Sequence, residues 1–235
     1  MSLTRLHHSR FPRLALALAL LLLPVVMACG GGEGEEETSQ PPANPLLQPR
    51  SFNETAPEEY RVRLGTTKGD VLIQVHRSWA PRGADRFYNL VKAGYYEGVP
   101  FHRVVEGFVA EFGIHPDPWV NAAWRQATLT DDPVLESNTR GRVTFSKSRA
   151  HSRTVQVFIN LKDNPNLDEE GFAPFGEVVE GMDVVEELYA EYGEGPPRGD
   201  GVYQAMAIAK GDEYFNEEFP LLDRIQEAEI VEEGG

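Results

Sequence analysis

The 235-residue sequence offers few side chains suited to covalent chemistry. Its single cysteine, Cys29, excludes a disulfide or a cysteine cage for metal within this chain. His102, His115 and His151 are spaced like neither a helical nor a loop ligand set, so no metal is expected. Asp117, Asp131 and Asp132 fall between Pro116 and Thr139, a segment that reads as a loop shaping a groove rather than as the seat of a carboxylate pair. Trp119 and Trp124 in that segment read as cover over the core. The run Phe101-His102-Arg103-Val104-Val105-Glu106-Gly107-Phe108 is more informative. It sets a permanently charged guanidinium among aromatics, where the group donates hydrogen bonds but attacks nothing. The plainest roles here are a carboxylate anchor for Arg103 and core packing for Phe108 and Phe158.

The elements that must carry these residues follow from periodicity. Val62 and Leu64 alternate before Thr66-Thr67-Lys68-Gly69-Asp70, and Val71, Ile73 and Val75 alternate after it, which predicts a β-hairpin. Pro81 opens a helix whose Ala84, Phe87, Leu90 and Val91 share a face and which Gly94 ends. Strands are expected at 101–105, 108–112, 142–146, 155–161 and 173–178, a second helix from Met182 to Tyr192, and a last strand from Tyr203 to Lys210. This order lacks strict β-α alternation, so an antiparallel sheet or closed barrel with two helices is expected. The remainder, 213–235, reads as a helical extension, with Phe215, Phe219, Leu222 and Ile225 turned to the folded unit.

Four stretches, in order, resemble the cyclophilin family. Phe101 to Phe108 is similar to its F-H-R-x-x-x-G-F signature. Ala80-Pro81, Gln156-Val157-Phe158-Ile159 and Phe175-Gly176-Glu177-Val178-Val179-Glu180-Gly181-Met182 are similar to further family motifs. The resemblance covers roughly Tyr60 to Ala209. It implies a mainly β fold, a closed eight-stranded antiparallel barrel capped by two helices, whose side groove takes Xaa-Pro peptides. It implies peptidyl-prolyl cis/trans isomerase activity with no cofactor, Arg103 as the catalytic residue, and a groove of His102, Phe108, Val109, Glu111, Gln156, Phe158, Leu167 and Phe172. Phe108, Val109, Phe158 and Leu167 would receive the proline ring, and Gln156 would orient the backbone.

The sequence also departs from the family pattern. Glu111 replaces a Gln, Lys147 an Asn, Val157 a Phe, and Asn166 the aromatic that governs cyclosporin binding. Ser148-Arg149-Ala150-His151-Ser152-Arg153 replaces a Gly-Pro-Asn-rich loop. Weak cyclosporin binding is expected. A carboxylate at 111 would either hold Arg103 or compete for its donors. A catalytically weak proline-peptide-binding module of the cell envelope is the alternative to an isomerase.

The chemistry implied needs no nucleophile. Rotation about a prolyl amide faces a barrier of about 18–20 kcal/mol. A catalyst must bind the twisted amide better than the planar one. On twisting, the prolyl nitrogen regains its lone pair and accepts a hydrogen bond, which Arg103 would supply. Aromatic walls would desolvate the amide.

The first 29 residues read as an address. Arg5, Arg10 and Arg13 precede an apolar run from Leu14 to Leu23, an export signal too short for a confident membrane span. Val26-Met27-Ala28-Cys29-Gly30 resembles a bacterial lipobox, so residues 1–28 are expected to be a lipoprotein signal peptide and Cys29 to carry lipid. Residues 29–59, rich in Gly, Glu and Pro, read as a flexible tether reaching on the order of 30 Å. The isomerase domain is then 60–212, and its place is the extracytoplasmic side of the cell envelope. Its partners there would be proline-containing exported polypeptides and, through Cys29, the membrane. A net charge of -15 without a Lys/Arg cluster speaks against nucleic acid. A monomer is expected.

Overall fold

The computed structural model describes residues 44–234; Cys29, the stretch read as an export signal and the first part of the span read as a tether lie outside them. Strand β1 (Glu59–Thr66) turns through Thr67-Lys68 into β2 (Gly69–His76), with Gly69 at φ 142°. Tyr60, Val62 and Leu64 face inward with Val71, Ile73 and Val75, as the alternation requires. Helix α1 (Pro81–Lys92) starts on its proline and buries Ala84, Phe87, Leu90 and Val91. Then come β3 (Arg103–Val105), β4 (Val109–Phe112), α2 (Pro118–Trp124), β5 (Arg142–Phe145), β6 (Val157–Asn160), α3 (Asn166–Glu169) and β7 (Pro174–Glu180). The chain finishes with α4 (Met182–Glu186), α5 (Gln204–Lys210), α6 (Asp212–Glu218) and β8 (Ile225–Gly234).

All eight strands form one antiparallel sheet in the order β3-β4-β6-β5-β7-β2-β1-β8. The expected closed barrel is therefore incorrect: the sheet is open and curled, a half-barrel with β3 and β8 at its edges. A single bridge, Pro100 to Arg224, with flanking bonds such as Phe101 N–H to the Asp223 carbonyl (2.9 Å), joins the edges at one end. Beyond it β8 follows β1 alone, and the three residues of β3 are too few to continue the ladder.

Three further expectations are corrected. The stretch read as a last strand, Tyr203–Lys210, is helix α5. Alternate alanines there are strong helix formers, and Gly211 closes the helix by donating to the Ala207 carbonyl at 2.8 Å. The extension is helical only through α6; β8 then pairs along the whole of β1, burying Ile225 and Ala228. The helix expected to reach Tyr192 ends at Glu186, because the Tyr189 N–H is drawn to the Asp223 carboxylate at 2.7 Å.

Of the span read as a tether, residues 44–58 lie against the folded unit. Leu46 and Ala56 are buried, and the Trp124 indole donates to the Leu46 carbonyl at 2.9 Å. Trp124 is cover, as expected, whereas Trp119 on the same helix is 75% exposed. The segment from Pro116 thus contributes a helix as well as loop.

Two smaller apolar clusters flank the main core. One joins Ile114 and Val202 to Phe215, Phe219 and Leu222. The other, Val109, Phe158 and Leu167 with Phe108 and Phe172 beside them, stands apart at the sheet surface.

Candidate active site

Strand register puts the polar and apolar halves of the site side by side. Arg103 on β3 lies opposite Glu111 on β4, and Glu111 opposite Phe158 on β6. Residues directly opposed across a ladder share a face, so the three side chains form one row. The turn between β3 and β4 uses Gly107 at φ 62°, a conformation costly for any side chain. It returns Phe108 over Arg103, whose guanidinium carbon is 5.4 Å from the ring centroid.

Leu167 and Phe172 complete the apolar slot. Both hang from the α3 turn, where the Phe172 N–H donates to the Leu167 carbonyl at 3.0 Å, and Phe172 meets Phe158 edge-on at 5.8 Å. The turn is pinned from below by Asn138, whose Nδ2 donates to Asp168 Oδ1 (2.7 Å) and to the Phe172 carbonyl (2.8 Å). Asn138 Oδ1 in turn accepts from the Thr144 hydroxyl at 2.9 Å. The slot opens into a groove of about 740 Å³ whose other lining residues include Gln156, Lys147, Ser148 and the segment Glu194 to Arg198.

Arg103 is held by two carboxylates. Its Nη1 donates to Glu111 Oε2 at 3.0 Å. Its Nε and Nη2 donate side-on to Glu194, at 3.0 and 2.7 Å. Burial works against the Arg103 charge, but the two carboxylates more than offset it and raise its pKa. Hydrogen bonding to Arg103 holds the Glu194 carboxyl below its ordinary range. A guanidinium has five N–H donors, and these bonds use three, so two are left for a peptide.

Residues 61–209 match the model of the family described as cyclophilin type peptidyl-prolyl cis-trans isomerase/CLD. The chain belongs to the cyclophilin family. Its activity is cis-trans isomerisation of Xaa-Pro bonds. It is 32% identical over 135 residues to peptidyl-prolyl cis-trans isomerase B of Escherichia coli, covering 54% of this chain and 82% of that one. The isomerase cyp18 of Streptomyces antibioticus is 31% identical over 135 residues, covering 54% and 81%. Among solved structures, a Cryptosporidium parvum cyclophilin type isomerase superposes with a TM-score of 0.54 at 19% identity, covering 75% of this chain and 99% of that one. Cyclophilin AquaCyp293 from Hirschia baltica gives 0.52 at 19% identity, covering 76% of each. At that identity the structures speak for the fold.

Within this cyclophilin, eight of the nine expected site residues line the groove: Arg103, Phe108, Val109, Glu111, Gln156, Phe158, Leu167 and Phe172. His102 does not. It is 1% exposed, with neither ring nitrogen hydrogen-bonded among the described residues, and burial lowers its pKa to about 4. Lys147 lines the groove but is engaged, its Nζ donating to the Gly171 carbonyl (2.7 Å) and Asp131 (3.1 Å) beside the Phe172 ring. No three His, Cys, Asp or Glu side chains among the described residues are grouped to hold a metal.

Sequence reading missed Glu194 and Asn138. Glu194 is one of 37 acidic residues, and nothing local distinguishes it. Asn138 sits in an irregular stretch with no periodicity to mark it as buried.

Proposed function

We propose that this cyclophilin isomerises Xaa-Pro bonds through Arg103, one of whose two unengaged N–H groups donates to the prolyl nitrogen of a twisted amide. The observation that carries the reading is a guanidinium, only 16% exposed, fixed beside a slot walled by Phe108, Val109, Phe158, Leu167 and Phe172. A planar prolyl nitrogen has no lone pair to offer, so the bond forms only on twisting and favours the transition state. One charge-assisted bond contributes roughly 1.5–3 kcal/mol, on the order of 10–100-fold in rate. The aromatic slot adds to this by removing water from the amide. Gln156 binds the flanking backbone.

The same reading extends to place. Residues 1–28 direct export, Cys29 carries lipid, and the domain acts on exported polypeptides at the envelope. The basic and apolar start of the sequence and the single cysteine at the end of that run support this. No helix among the described residues is long and apolar enough to cross a membrane.

A second reading, a proline-peptide-binding module with little turnover, draws support from Lys147 being engaged where the family uses a free Asn. A protease-coupled assay on an Xaa-Pro peptide separates the two. Turnover lost in Arg103→Ala supports catalysis by Arg103; peptide binding with only residual turnover in the wild type supports the module. Palmitate labelling abolished by Cys29→Ala supports the anchor, and label kept in that variant removes Cys29 from the account.

A further inference from the structure

Glu194 lies in a stretch, Glu187 to Tyr203, that carries none of the motifs by which the family is recognised, yet its carboxylate takes the whole Nε/Nη2 edge of Arg103. The backbone presenting it is tightly built. Gly201 donates to the Glu194 carbonyl at 2.9 Å. A Cβ on Gly195, Gly199 or Gly201 would collide with backbone carbonyls of the same turn. Tyr192 and Val202 bracket the turn, and both are seated in the second apolar cluster, Tyr192 edge-on to Phe219 at 4.9 Å. The carboxylate is thus mounted on a packed base supplied partly by the C-terminal extension.

We propose that Glu194 is a positioning residue for the isomerisation: it fixes the orientation of the Arg103 guanidinium so that one of its two remaining N–H groups meets the twisted prolyl nitrogen. The proposal rests on the assignment of catalysis to Arg103. Glu111 alone grips one corner of the guanidinium and leaves it free to swing about its long axis. A bidentate contact along a second edge removes that freedom before substrate arrives. Both carboxylate oxygens are taken up by Arg103, so the effect of Glu194 is expected on kcat rather than KM.

The test measures kcat and KM for an Xaa-Pro tetrapeptide by NMR exchange spectroscopy on wild type, Glu194→Gln, Arg103→Ala and the double variant, with melting curves for each. Glu194→Gln keeps the size of the side chain but loses the second acceptor oxygen. The expected result is a kcat lower by about tenfold, an unchanged KM and melting curve, and no further loss when the substitution is added to Arg103→Ala. Glu194→Asp, which keeps the charge but withdraws it, is expected to fall between. Wild-type kcat in Glu194→Gln overturns the proposal. So does a raised kcat, which would make Glu194 a competitor for Arg103, or an extra loss in the Arg103→Ala background, which would make its role structural. Undiminished turnover in Arg103→Ala overturns the assignment to Arg103 and this proposal with it, whereas a dead Arg103→Ala beside a normal Glu194→Gln overturns this one alone.

Discussion

Glu111 stands directly across the β3–β4 ladder from Arg103, one carboxylate oxygen 3.0 Å from Nη1 and the other accepting the Ser146 hydroxyl at 2.6 Å. With both oxygens engaged and the residue 5% exposed, Glu111 is a fixed support. Of the two roles open to it from sequence, holding Arg103 or competing with substrate, the geometry favours holding. Gln would keep an acceptor for Nη1 and an amide facing Ser146. Kinetics of Glu111→Gln are therefore expected within about threefold of wild type, and Glu111→Ala lower by about tenfold or more, since it leaves a desolvated guanidinium short of a partner. Equal activity in all three proteins would show that Glu111 does not support Arg103.

Asn138 carries the floor of the slot. Removing its side chain leaves the Thr144 hydroxyl and the Phe172 carbonyl short of a buried partner and takes one of two hydrogen bonds from Asp168 Oδ1, which keeps the Asn138 N–H. Asn138→Ala is expected to cost about 2–4 kcal/mol in denaturant unfolding and to raise KM more than it lowers kcat. A stable variant with normal KM would detach Asn138 from the slot.

His102 makes stability depend on pH. Its pKa is about 4 when folded against an ordinary 6.5, so the unfolded chain binds the extra proton between those values. Stability from this group is full above the unfolded value and falls as pH drops from 6.5 towards 4, by about 3 kcal/mol in all. Urea unfolding of His102→Leu across that window should show a flatter slope than wild type. Parallel slopes would place the loss elsewhere.

The C-terminal strand is part of the fold. Deleting residues 225–235 removes the partner of β1, strips the cover supplied by Ile225 and Ala228, and leaves a row of unpaired backbone groups. The truncated chain is expected to lose on the order of 5 kcal/mol or to aggregate, as read by melting temperature and size-exclusion chromatography. Wild-type melting after truncation would make β8 an ornament of the sheet.

Much of this was written along the chain. The alternation of Tyr60, Val62, Leu64 and Val71, Ile73, Val75, the Pro81 helix and the Arg103-to-Phe108 turn depend on contacts between near neighbours, and such contacts leave a period or a glycine in the sequence. The apolar slot was legible only through the family resemblance, which implied Phe108, Phe158 and Leu167, because these residues meet from separate elements. Tertiary structure alone decided whether the sheet closed, which segment became its eighth strand, and what gripped Arg103. Tyr203–Lys210 alternates like a strand but is a helix, because alanine propensity and packing of Ala207 outweigh a period-two pattern of weak contrast. Glu194 meets Arg103 across 91 residues of sequence. A contact of that span leaves no local signature, since its energy is realised only after Tyr192, Val202 and the C-terminal residues have packed.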